Sequence, residues 1–89
     1  MHKIITFENN ESKDIIVKVN GNEKFQILSK TKTIKAMDIY NLLDYSCGDT
    51  FETRIENKNM LESGDLSVIE FFKKLLDDII EQVNQIDRG

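Results

Sequence analysis

Residues 67–86, SVIEFFKKLLDDIIEQVNQI, decide the fold of this chain. Apolar residues recur there at intervals of three and four, which is the period of one face of an α-helix. The main row comprises Ile69, Phe72, Leu76, Ile79, Val83 and Ile86. A second row widens the apolar face in the first half only and comprises Val68, Phe71 and Leu75, with Ile80 beside them. The spacing predicts one long helix with two faces to bury near its start and one narrow seam near its end.

The length of this helix bears on what covers it. Ser67 and Glu70 match the S-x-x-E pattern of a capping box, and Asp65 is a competing start. From Asp65 to Asp87 the helix would extend roughly 33 Å, whereas a strand of six residues extends roughly 20 Å. We therefore expect its far end to project beyond the sheet and to pack on the same helix of a second copy. The predicted interface comprises Leu76, Ile79, Ile80, Val83 and Ile86.

An alternative is that the chain covers this seam by itself. The sheet, a short helix or the segment 57–64 could each contribute to such a cover. Leaving several of these side chains in water would forgo roughly 1.5–3 kcal/mol each, so either the chain or a partner is expected to bury them.

The first third of the chain has the alternation of β-strands. The predicted strands are 3–8, 14–19 and 24–30, rich in Ile, Val, Thr and Phe. Asn20 and Gly21 separate the second strand from the third, and this dipeptide accepts the positive φ that a tight hairpin requires. The pattern predicts a three-stranded antiparallel meander with Phe25 and Ile27 facing inward.

The period then changes to that of a helix. Apolar side chains at Ala36, Ile39, Tyr40 and Leu43 predict a short amphipathic helix over 36–44. Gly48 suits the left-handed position that follows a helix end. A fourth strand is predicted where Phe51, Thr53 and Ile55 alternate with Glu52, Arg54 and Glu56.

The element order is therefore β-β-β-α-β-α, which predicts an α+β fold. We expect a small antiparallel sheet of about four strands, covered on one face by a short and a long helix. The chain of 89 residues is interpreted as a single domain, 1–89. A chain of this size has little core, so association with a second copy would add stability.

Composition bears on location and origin. The apolar run at residues 4–5 is too short for a secretory signal or a membrane span, and the single Cys47 fits a reducing compartment. We therefore expect a cytoplasmic protein. Lysine is abundant and Arg is scarce, while Pro and Trp are absent, which suggests an AT-rich coding sequence of a bacterium, a phage or a plasmid.

Catalytic, metal and cofactor chemistry finds little support. His2 and Cys47 make at most two ligands, too few for a structural zinc. Asp77 and Asp78 project to different sides of a helix, which makes a poor acid–base dyad. The glycines are isolated, so no phosphate-binding loop is predicted. We expect no enzyme activity, no cofactor and no metal site.

Nucleic-acid binding is the competing hypothesis. Lys18, Lys24, Lys30 and Lys32 lie on or just after the predicted hairpin, and lysines neutralise phosphates. Residues 1–36 carry a balance of +3 and residues 37–89 a balance of −7, which together give the net charge of −4. The scarcity of Arg and the pI of about 4.9 argue against this hypothesis.

Protein recognition is the favoured function. The chain is expected to be a small non-catalytic interaction domain that binds itself, another protein or both. The acidic balance after residue 36 suggests a partner with a basic surface. An accessory or inhibitory protein of a phage or plasmid, which presents carboxylates to such a partner, is the sharper form of this hypothesis.

Overall fold

The chain follows the predicted β-β-β-α-β-α order. The computed structural model describes residues 1–44, 46 and 48–88, without the side chains of 86–88, so Cys47 and the Ile86 side chain lie outside the described part. The elements are β1 His2–Asn9, β2 Ile15–Val19, β3 Asn22–Ile27, α1 Ala36–Leu43, β4 Thr50–Ile55 and α2 Ser63–Arg88. One 3₁₀ turn, Lys58–Met60, precedes α2.

The four strands form one sheet in the order β3-β2-β1-β4. The predicted antiparallel meander of β1, β2 and β3 is confirmed. Asn20 (φ 51°) and Gly21 (φ 82°) form the two-residue connection, and both have the positive φ of a tight hairpin turn.

The sheet is mixed, which corrects the expectation of a wholly antiparallel one. β4 pairs with β1 in parallel, with Ile5 opposite Thr53 at the centre of the ladder. The connection from β3 to β4 contains α1, and a crossover of this kind can bring a strand back in the direction of its neighbour. The α+β class is confirmed.

Both helices pack on one face of the sheet. Phe72 of α2 is fully buried, and its ring contacts Phe7 edge-on at a centroid distance of 5.0 Å. Phe25 of β3 stacks on the same ring at 6.3 Å. The remaining core residues come from alternate positions of the strands and from both helices, among them Ile5, Val17, Ile27, Ile39 and Ile69.

The helix α2 begins four residues before the predicted capping box. The Asp65 carboxylate accepts a hydrogen bond from the backbone N–H of Glu62 at 3.1 Å, so Asp65 is the acid of the first turn. Ser67 already lies inside the helix, where its hydroxyl donates to the Ser63 carbonyl at 3.1 Å. The prediction of a start at Ser67 is therefore wrong.

The predicted short helix is confirmed as α1, and its buried face agrees with the predicted one in part. Ile39, Leu42 and Leu43 are buried, whereas Ala36 and Tyr40 are exposed. Asp44 (φ 45°) takes the left-handed position directly after the helix, and Gly48 (φ 89°), four residues further on, also has a positive φ. The Lys3 ammonium donates to the Leu43 carbonyl at 2.6 Å and to the Asp44 carbonyl at 3.0 Å, which stabilises this helix end.

Candidate protein interface

The apolar seam of α2 is buried along most of its described length. Leu76 is 3% exposed and Ile79 is 9% exposed within the single chain. This corrects the expectation that these two side chains face a partner, because both belong to the core of the single chain. Val83, one turn beyond Ile79 on the same face, is only half-buried. Val83 still packs against the edge of the core, so only the fully buried part of the row ends at Ile79.

A groove runs between the flank of α2 and the edge strand β4. Its volume is about 410 Å³, and it is lined by Asp49, Thr50, Phe51, Thr53, Lys73, Leu76, Asp77 and Ile80. Ile80 is half-buried at the wall of this groove, and Asp77 is exposed beside it. Of the predicted interface residues, Ile80 and Val83 therefore keep part of their surface available to a partner.

Charged side chains line the outer face of β4, on the side opposite the helices. Arg54 Nη2 donates to Glu52 Oε2 at 3.1 Å, and His2 Nε2 lies 3.4 Å from the same oxygen. Hydrogen bonding from Arg54 and then from His2 lowers the pKa of the Glu52 carboxyl. The strand therefore presents a fixed negative and a fixed positive charge two residues apart.

Asp49 anchors the start of β4 at one end of the groove. Its carboxylate accepts hydrogen bonds from the backbone N–H of Ser46 at 3.0 Å and from the Met1 ammonium at 3.0 Å, and it lies 3.2 Å from the Lys3 ammonium. The Ser46 bond, followed by those from Met1 and Lys3, lowers the pKa of Asp49 to about 2. These contacts give Asp49 a structural role.

A second apolar surface lies on the opposite flank of α2, beside α1. A shallow groove there is lined by Ala36, Met37, Tyr40, Ile79 and Gln82. Met37 is 65% exposed and Tyr40 is 54% exposed, while Phe71 on the same flank of α2 is 49% exposed. The sequence pattern placed Tyr40 in the core, so the part of this surface on α1 was missed. The part on α2 belongs to the second apolar row, which includes Phe71 and Leu75.

The four lysines of the nucleic-acid hypothesis do not form one basic surface. The Lys18 ammonium lies 2.6 Å from the Glu8 carboxylate, whose hydrogen bond raises the pKa of Lys18. Lys32 lies 3.5 Å from the buried Asp65 at the start of α2. Lys24 lines a groove beside α1, and Lys30 is exposed in the following loop. The lysines are thus dispersed, and two of them are paired with carboxylates.

The described residues contain no group of three His, Cys, Asp or Glu side chains that could hold a metal ion. Within the same residues, no helix combines the length and the hydropathy that crossing a bilayer requires. No protein-family model, curated protein or solved structure matches this chain.

Proposed function

We propose that this chain is a small non-catalytic interaction domain that associates with a second copy of itself. The surface that binds is the distal β4-side surface of α2, which comprises Ile80 and Val83 together with the groove beside β4. Of the predicted interface residues, Ile80 and Val83 remain partly accessible, whereas Leu76 and Ile79 belong to the core.

The change in burial along one helix face carries the proposal. Phe72, Leu76 and Ile79 are buried, whereas Val83 is half-buried although it follows Ile79 at the same helical spacing. A helix of the length of Ser63–Arg88 extends roughly 39 Å, which is most of the longest dimension of the molecule, 44 Å. Val83 packs against the edge of the core but keeps part of its surface exposed, and a partner would remove that apolar surface from water.

The second copy is the simplest partner because the surface carries charges of both signs. Lys73 and Asp77 lie one turn apart on the flank of α2 beside the groove. When two such helices pack antiparallel about a two-fold axis midway between these residues, the lysine of each lies opposite the aspartate of the other, so the surface is complementary to itself. A nucleic-acid partner has less support, since Lys18 and Lys32 are paired with carboxylates.

Sedimentation velocity over a wide concentration range tests the proposal. The wild type is expected to sediment as a dimer, and the double variant Ile80→Gln/Val83→Gln as a folded monomer. Glutamine is a good helix former and brings no charge, so the helix is kept. Phe71→Gln is the matched control, because it makes the same kind of change on the other flank of α2.

Circular dichroism of each variant checks that the fold is intact. A wild type that remains monomeric at all concentrations would overturn the proposal. A dimer that Phe71→Gln dissociates and Ile80→Gln/Val83→Gln leaves intact would place the interface on the flank beside α1, and this too would overturn the proposed surface.

A further inference from the structure

The edge strand β4 has backbone groups that point away from the sheet. The N–H of Thr50 donates to the Met1 carbonyl at 3.0 Å, and the N–H of Glu56 donates to the Phe7 carbonyl at 2.9 Å. In a parallel pair of strands, every second residue forms its backbone hydrogen bonds with the same neighbour. The backbone groups of Glu52 and Arg54 therefore also point toward β1. The backbone of Thr53 therefore points outward, and no other described strand pairs with that side.

The opposite edge of the sheet is less suited to pairing. The ladder between β2 and β3 is irregular at Val17 and Lys18, where the register shifts and Lys24 is left without an opposite residue. A bulge and charged side chains on an edge strand hinder the addition of another strand. The ladder between β1 and β4 runs from Thr50 to Ile55 without such a shift.

We infer that the second copy binds at this edge, so that two β4 strands pair antiparallel about a two-fold axis at Thr53. This inference rests on the proposed self-association and specifies its geometry. The two four-stranded sheets would then join into one continuous sheet of eight strands. Thr53 and its counterpart exchange both backbone hydrogen bonds at the axis.

The strand is complementary to itself in this register. Glu52 of one copy lies opposite Arg54 of the second copy, and the reverse pair forms on the other side of the axis. On the inner face, Phe51 lies opposite Ile55 of the second copy. Cross-strand pairs of opposite charge and of apolar residues both stabilise a sheet. Both charged residues lie on the outer face and already contact one another within one copy at 3.1 Å.

The flank of α2 above β4 fits the same two-fold axis. Lys73 and Asp77 line the groove together with Thr53, so this flank of α2 lies beside the strand edge that pairs. The two α2 helices run antiparallel across this axis, and each copy brings one positive and one negative side chain to the contact. The half-buried Ile80 on this flank gains cover from the same contact.

Charge reversal on β4 tests the pairing. Glu52→Arg places two positive charges opposite each other in both cross-strand pairs, and we expect the dimer dissociation constant to rise roughly tenfold or more. The exchange Glu52→Arg/Arg54→Glu restores opposite charges and is expected to return the constant to near that of the wild type. Glu23→Arg makes the same change on the other edge strand and is the matched control.

A cysteine at the axis gives an independent readout. In a Cys47→Ser background, Thr53→Cys is expected to form a disulfide between copies under mild oxidation, because a hydrogen-bonded antiparallel pair holds its Cα atoms about 5.5 Å apart. Thr50→Cys, at the end of the strand, is the control and is expected to cross-link poorly.

The outcomes separate the two proposals. A wild-type dimer that responds equally to Glu52→Arg and Glu23→Arg, or that the charge exchange fails to restore, would overturn the β4 pairing and leave the proposed self-association standing. A wild type that is monomeric at all concentrations would overturn the proposed function and the pairing together.

Discussion

The Lys3 ammonium lies 3.2 Å from the Asp49 carboxylate, and this contact joins the first strand to the start of the last one. Lys3 is 12% exposed, and it also donates to the two carbonyls at the end of α1. One cation thereby fixes the end of a helix and the entry of an edge strand. Since Asp49 directly precedes Thr50, this contact adds to the ladder that holds β4 beside β1.

Asp49 is expected to make the fold less stable in acid. Its pKa is about 2 in the folded chain, below the ordinary value of 3.8, so its ionised form favours the folded state. This stabilisation is fully present above the ordinary pKa, and it is lost as the pH falls from about 3.8 to about 2. Asp49→Asn should therefore lower the free energy of unfolding at neutral pH and have little effect near pH 2.

Urea denaturation of the wild type and of Asp49→Asn, followed by circular dichroism at several pH values, measures this difference. Glu11→Gln, in an exposed turn, is the control and should leave the profile unchanged. A gap between wild type and Asp49→Asn that stays constant down to pH 2 would show that the carboxylate charge is not the cause.

The adjacent phenylalanines of α2 should differ sharply in their contribution to stability. Phe72 is fully buried between Phe7 and Phe25, whereas Phe71 is 49% exposed. Phe72→Ala is expected to cost about 3–5 kcal/mol, because it leaves a cavity in the core. Phe71→Ala should cost less than about 1 kcal/mol. Thermal or urea unfolding of both variants gives the comparison, and equal losses would contradict the observed burial.

The local patterns of the sequence were sufficient to predict most of the elements. The Asn20–Gly21 turn and the alternation around it depend on neighbouring residues only, and the meander was predicted correctly. The three-and-four spacing of α2 likewise predicted which face of the helix is apolar, and Ile69, Phe72, Leu76 and Ile79 of that face all lie in the core.

Features that depend on distant residues could not be predicted in this way. The direction of β4 follows from the crossover through α1, which no local pattern encodes. The helix α1 has only eight residues, and apolar side chains at helical spacing occur on two of its faces. The sequence pattern therefore could not decide whether Leu42 or Tyr40 lies in the core. Ile79 lines a groove with α1 and Leu76 lies beside β4, so the burial of both also depends on elements distant in the sequence.

Generic duplex DNA should not bind this chain. Lys18 is paired with Glu8, and Glu23 and Glu56 also act on its charge, so a phosphate would compete with carboxylates. We expect no mobility shift at low salt, where electrostatic binding is strongest. Lys18→Glu/Lys24→Glu should leave the result unchanged. A shift in the wild type that this double variant abolishes would restore the nucleic-acid hypothesis.

The contact between Lys32 and Asp65 should stabilise the start of α2. Asp65 is buried, its carboxylate accepts the Glu62 N–H, and the Lys32 ammonium lies 3.5 Å from it. Asp65→Ala removes both interactions and is expected to lower the free energy of unfolding by roughly 1–2 kcal/mol. Lys32→Met keeps an apolar stem of similar length but leaves the buried carboxylate with one partner fewer, so it should also destabilise the fold.

Lys30→Met is the matched control for this pair, because Lys30 is exposed in the same loop. Urea unfolding should then rank Asp65→Ala as the most destabilised variant, Lys32→Met as intermediate and Lys30→Met as close to the wild type. Equal stability of Lys32→Met and Lys30→Met would mean that the Glu62 N–H alone satisfies Asp65.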